Sequence, residues 1–138
     1  MANAQQLMYW DSCVFLAYMN NEQDHVPTID AFLEGVAKSN GKKKIVTSIL
    51  AKVEVAVAVT EKNTNRLSDD VEEKIDALWA DSSVLELIEL HDGIATEART
   101  LIRRAVSRGW SLKPADAIHL ATAIQVGVFE FHTYDLKD

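Results

Sequence analysis

The sequence predicts an α/β fold, a three-layer α/β/α arrangement around a mostly parallel central sheet. Three observations predict it. Short apolar, β-compatible runs recur along the chain, each separated from the next by amphipathic helical segments. Strands separated by helices pair in parallel through right-handed crossovers. The chain has 138 residues, of which 48% are hydrophobic and 25% charged, the make-up of one ordinary globular domain. No internal repeat, low-complexity tract or long linker interrupts it, so residues 1–138 are expected to form a single domain.

Leu7–Trp10 is the first strand candidate, and Asp11 and Ser12 after it are good helix N-caps. Val14, Phe15 and Tyr18 then recur at helical spacing. A second helix follows, with Ile29, Phe32, Leu33 and Val36 at i, i+3, i+4 and i+7, and Asn40-Gly41 ends it. Ile45–Thr47 is the second strand, entered through the basic run Lys42–Lys44. Ser48 can cap a helix on which Ile49, Val53 and Val57 share a face, although the β-branched content of Val53–Thr60 also permits a strand. Asn63–Leu67 is a polar linker. Ser68 opens a helix with Val71, Ile75, Leu78 and Trp79 inward. Val84–Leu90 is the third strand. Asp92 can cap a long helix that ends at Gly109 and buries Ile94, Ala98, Leu101, Ile102, Ala105 and Val106. Pro114 suits the first turn of the last helix, Gly127 suits its end, and Val128–Thr133 alternates into a final strand.

Charge and cysteine content narrow the function classes. With 21 Asp+Glu against 14 Lys+Arg the net charge is −7, which disfavours a basic module that coats nucleic acid. The single cysteine, Cys13, cannot form an internal disulfide and suits a reducing compartment. No apolar stretch approaches the roughly 20 residues that cross a bilayer. Met1–Gln6 lacks the basic and apolar regions of a signal peptide, so a cytoplasmic protein without a membrane partner is expected.

Of four acidic residues, three stand where parallel sheets build their sites, outside the carboxyl ends of the strands, and the fourth is on a helix that starts there. Asp11 follows the first strand, Glu54 lies about two turns beyond the second, Asp116 is in the first turn after Pro114, and Asp135 follows the last strand. Carboxylates gathered at one point repel each other unless a cation joins them. Hard oxygen donors without a matching His/Cys set select Mg²⁺ or Mn²⁺ over Zn²⁺. Such an ion polarises a phosphodiester and acidifies water, which makes metal-dependent hydrolysis of a phosphate ester the chemical expectation. Bland alternatives stand beside it. Asp11 and Asp116 can be helix caps or dipole partners, Asp135 a turn residue, and Glu54 a solvated helix residue.

Tyr9-Trp10-Asp11-Ser12-Cys13-Val14, Thr47-Ser48-Ile49-Leu50 followed by Glu54, the block Pro114–Ala123 (PADAIHLATA), and Thr133-Tyr134-Asp135 resemble the PIN-domain ribonucleases, most of all the small toxins of VapC type. The four segments occur in the family's order over nearly the whole chain, and PADAIHLATA is the most specific. The resemblance implies a PIN-like fold and a Mg²⁺- or Mn²⁺-dependent endoribonuclease. By position it assigns metal ligation to Asp11, Asp116 and Asp135, an acidic role toward metal or water to Glu54, and a supporting hydroxyl to Thr133. It also implies an RNA substrate, a small antitoxin partner and a homodimer, with Phe32 and Leu33 as candidate exposed contacts. Cys13 departs from the small polar residue often found at its position.

Other residues admit two readings. His119, one helical turn after Asp116, can be a general acid or base, but a packed structural histidine is the commoner case. Cys13 suits a buried small hydrophobe better than a nucleophile. Arg99, Arg103, Arg104 and Arg108 can hold phosphates or merely face solvent. Trp110 and Tyr134 can stack on bases or pack locally. Two other functions compete with the nuclease: a non-catalytic PIN-like binding module with a structural metal, and a phosphatase acting on small phosphate esters.

Overall fold

The computed structural model describes residues 5–134. Its elements run β1 (Gln6–Trp10), α1 (Ser12–Met19), α2 (Val26–Ala37), β2 (Lys43–Ser48), α3 (Ala51–Glu54), α4 (Val59–Thr64), α5 (Asp69–Ala80), β3 (Leu85–Ile88), α6 (Asp92–Ser107), α7 (Pro114–Val126) and β4 (Glu130–His132). Among the described residues the strands form one four-stranded sheet of order β3-β2-β1-β4. Every pairing is parallel, with Met8 opposite Ile45 and Glu130, and Ile45 opposite Leu85. The predicted three-layer α/β/α class is therefore the observed one.

Strand periodicity divides the core between the two faces of the sheet. Met8 and Trp10 point with Ile45 and Leu85 into the larger core, which Val14, Phe15, Ile29 and Val36 of α1 and α2 close. Tyr9 and Val46 point the other way, where they meet Ala123 of α7. Ile94 and Ala98 of α6 pack there against Ala117 and Ala121 of α7. Small alanines at these α7 positions let the two helices lie close, as dense packing requires. Gly127 then ends α7 with a left-handed backbone (φ 74°, ψ 55°).

Several local expectations need correction. The helix read over Ile49, Val53 and Val57 is broken: α3 is a single turn, and the chain leaves it at Val55 before α4 begins. Val53 is 73% exposed while Val55 is fully buried, so the alternating valines follow a near-strand period rather than one helical stripe. Ser48 belongs to β2, and its hydroxyl accepts from the Leu50 N–H rather than capping a helix directly. The polar stretch after Asn63 is partly helical, and Glu61 holds its ends together by accepting from the backbone N–H groups of Ala58 and Ser68. His91, not Asp92, caps α6: its backbone is extended and its Nδ1 accepts from the Gly93 N–H at 3.0 Å, while Asp92 is already helical. Val106 is exposed rather than buried. Phe32 and Leu33 are half-buried against the main core, so they are not the exposed pair expected. Exposed large apolar side chains include Val106, Trp110, Ile124 and Phe129 instead.

Candidate active site

Strand order reverses around β1, with β2 on one side and β4 on the other, and a crevice outside the carboxyl ends of β1 and β4 is the natural site. Asp11 is the residue after β1, and Thr133 is the residue after β4. Asp116 sits in the first turn of α7, placed there because Pro114 opens the helix. Asp11, Asp116, His119, Leu120, Phe131 and Thr133 line one cleft of about 140 Å³. A hollow of about 390 Å³ lies elsewhere among Phe15, Leu78 and other apolar side chains, and one of about 510 Å³ adjoins the cleft at Phe131 and Thr133 but is dominated by side chains such as Trp10 and Phe32. The convergence of carboxylates marks the small cleft, not its size.

Asp11 does two jobs at once. Its Oδ1 accepts from the Cys13 N–H at 3.2 Å, the cap of α1, and from the Cys13 thiol at 2.7 Å. Both donors fall on one oxygen, so the cap does not consume the second. Cys13 is half-buried against the main core, in keeping with a small hydrophobe, and makes polar contacts besides. Its Sγ also accepts from the Tyr134 N–H at 3.1 Å and lies 3.2 Å from the Thr133 hydroxyl. With the thiol proton directed at Asp11, the hydroxyl holds the proton available to that last contact. Burial and the Asp11 carboxylate together push the Cys13 thiol up to about 11. Cys13 therefore fills the small polar residue's place, tying the end of β4 to the start of α1.

Glu54, the last residue of α3, reaches the site's edge through His119 rather than standing in solvent. His119 Nε2 is 2.6 Å from Glu54 Oε1. Burial would raise the Glu54 carboxyl, but the hydrogen bond and charge of His119 and a hydrogen bond from Ser12 outweigh it, leaving the group below its ordinary range. His119 is only 3% exposed and its Nδ1 is 2.5 Å from the Tyr9 hydroxyl, so the packed histidine expected from sequence is also a polar bridge. Sequence reasoning missed Tyr9. Its signal was a phenol at the centre of an otherwise apolar strand, two residues before Asp11.

Among the described residues, no three His, Cys, Asp or Glu side chains gather into a metal-holding group. Asp135 lies outside the described residues. What the described part supplies at one cleft is two carboxylates and a hydroxyl beside His119, whose ring nitrogens are both engaged, so the free donors are hard oxygens that suit a hard divalent cation. Arg99, Arg103 and Arg104 line a separate open groove on α6, and Arg108 lies over the exposed Trp110 ring. Neither Trp110 nor Tyr134 lines the Asp11–Asp116 cleft; Tyr134 stacks on His25. No helix among the described residues is long and apolar enough to cross a membrane.

The family model of the PIN domain matches residues 8–137. No curated protein sequence matches the chain. Solved structures do share its fold. VapBC2 from Rickettsia felis, bound to a promoter DNA fragment, superposes with a TM-score of 0.67 at 12% identity, covering 96% of this chain and 90% of that one. Mycobacterium tuberculosis VapC20, a toxin that cleaves the sarcin-ricin loop, gives 0.67 at 16% identity, covering 94% and 91%. A toxin–antitoxin complex from Klebsiella pneumoniae gives 0.62 at 21% identity, covering 95% and 88%.

Proposed function

This chain belongs to the PIN-domain family, and we propose that it is a metal-dependent endoribonuclease that hydrolyses RNA phosphodiesters in the cleft between Asp11 and Asp116. One observation carries the reading: two carboxylates from opposite ends of the chain, with Thr133, face a single cleft where the strand order reverses.

Asp11 and Asp116, joined by Asp135 as the resemblance implies, would hold a Mg²⁺ or Mn²⁺ ion, with Glu54 at the edge of the set. When bound, the ion offsets the mutual repulsion of the carboxylates, polarises the scissile phosphodiester and lowers the pKa of water. The protein's own contribution is orientation. Cys13 holds Asp11 by two donors on one oxygen and keeps Thr133 beside it. His119 holds Glu54. Leu120 and Phe131 add apolar walls to the cleft.

The role of toxin in a toxin–antitoxin pair, with a small antitoxin partner, is supported by the toxin–antitoxin structures that share the fold. Purified protein is expected to cleave RNA with Mn²⁺ or Mg²⁺ and to stop with EDTA. Asp116→Asn should abolish cleavage while leaving the melting temperature within about 3 °C, since an exposed helix-dipole contact is worth under about 1 kcal/mol. Intact RNA in the presence of both ions, from folded protein, refutes the reading. Turnover of a phosphomonoester with RNA untouched would replace it with a phosphatase.

A further inference from the structure

His119 takes no direct part in the proposed chemistry, and its surroundings engage the whole ring. It lies on the buried face of α7, one turn after Asp116, and lines the same cleft. Its two ring nitrogens are both engaged: Nε2 with Glu54 at 2.6 Å and Nδ1 with the Tyr9 hydroxyl at 2.5 Å. Tyr9 is fully buried, and its oxygen accepts from the Ser48 N–H at 3.0 Å. A carboxylate only accepts, so Nε2 must carry a proton. The Tyr9 oxygen accepts from the backbone and its hydroxyl shares one proton with Nδ1. A continuous hydrogen-bonded chain thus runs from Ser48 through Tyr9 and His119 to Glu54.

The chain matters because, besides a hydrogen bond from Ser12, it is what ties the Glu54 side chain to the core. Glu54 ends a helix of a single turn, and the backbone departs from helical geometry at the next residue, Val55 (φ −95°, ψ 59°). Tyr9, by contrast, stands in the centre of the sheet, paired on both sides and packed against the Phe131 ring. An edge-to-face contact, with ring centroids 5.7 Å apart, sets the imidazole against Tyr9. Rigidity passes from the sheet to the carboxylate through the imidazole.

We propose that Tyr9 and His119 are positioning residues that fix the Glu54 carboxylate at the edge of the Asp11–Asp116 cleft. The proposal rests on the nuclease reading, in which the orientation of Glu54 sets the rate. Loss of an outer hydrogen-bond partner of a metal-site group typically costs 10- to 100-fold.

The test uses the full chain, RNA and Mn²⁺. His119→Asn keeps a polar group at the Nδ1 position but falls short of Glu54, and its kcat should drop about 10- to 100-fold with KM for RNA unchanged. His119→Gln, which places an amide donor near the Nε2 position, should recover most of that loss. Tyr9→Phe removes one oxygen, leaves the ring packing intact, and should lower kcat by a smaller factor. In a Glu54→Ala background, His119→Asn should cost nothing further. A His119→Asn enzyme with wild-type kcat, or losses that multiply in the double variant, overturns the proposal.

Imidazole ¹⁵N spectra give a readout independent of cleavage. They should show a protonated, slowly exchanging Nε2, and a ring protonated on Nδ1 alone or a freely exchanging ring overturns the chain. Absence of cleavage by the wild type refutes the nuclease reading alone, and the spectra then still decide the positioning chain.

Discussion

Asp11 invites two explanations, helix cap and metal ligand, and one pair of substitutions separates them. As cap, it accepts from the Cys13 N–H at the second position of α1. Asparagine caps about as well as aspartate, because only a side-chain oxygen at that point is needed. Asp11→Asn should therefore change stability by under about 0.5 kcal/mol, whereas Asp11→Ala loses the cap at about 1 kcal/mol. At about 2.1 cal/mol/K per residue, a chain of 138 residues unfolds with an entropy near 0.29 kcal/mol/K, so 1 kcal/mol moves the melting temperature by about 3 °C. Metal binding sets a larger scale. An ion at one hundred times its Kd stabilises the native state by about 2.7 kcal/mol, or about 9 °C here. The assay is a thermal melt with and without Mn²⁺, paired with RNA cleavage. Wild type should melt higher with Mn²⁺; Asp11→Asn should melt like metal-free wild type under both conditions and leave RNA intact. If Asp11→Asn keeps both the Mn²⁺ shift and cleavage, Asp11 is a cap and nothing more.

Three further outcomes are expected. Val55→Ala should cost about 2 kcal/mol by opening a cavity at a fully buried site, while Val53→Ala, 73% exposed, should cost under about 0.5 kcal/mol in urea unfolding; equal costs would contradict the broken helix. Glu61 is held below its ordinary value near 4.5 by the backbone N–H groups of Ala58 and Ser68. A lowered folded-state pKa gives stability that is present above 4.5 and lost as pH falls through the folded value, so the melting gap between wild type and Glu61→Gln should close on acidification. A gap that does not change with pH would remove Glu61 from that role. Cys13, with its thiol pushed up to about 11, should react with Ellman's reagent at pH 8 far more slowly in the folded protein than in urea, the folded rate climbing toward pH 11; fast native labelling would contradict the Asp11–Cys13 bond.

The resemblance blocks placed Asp11, Glu54 and Asp116, and those residues do stand at the carboxyl-end rim or at its edge. Spacing could place Asp11 and Asp116 because each is tied to a local event, a strand end or a proline-opened helix turn, that pattern alone reveals; Glu54 was placed by the resemblance. The region after Ser48 was not legible in the same way. Its valines alternate at period two, its helical signals are weak, and the burial of Val55 and Glu61 depends on α5 and the loop before it.

The sequence by itself determined the α/β layering, the parallel strands with their helical crossovers, and which acids stand where strands end, because hydrophobic period and turn chemistry are local properties. Only the tertiary structure decided that Cys13 takes the Tyr134 N–H just past the end of β4, and that His119 joins Tyr9 of the first strand to Glu54 of a distant one-turn helix. Those contacts join segments far apart in the chain. Their partners are chosen by packing and by the demand that every buried donor find an acceptor, a condition no short window of sequence contains.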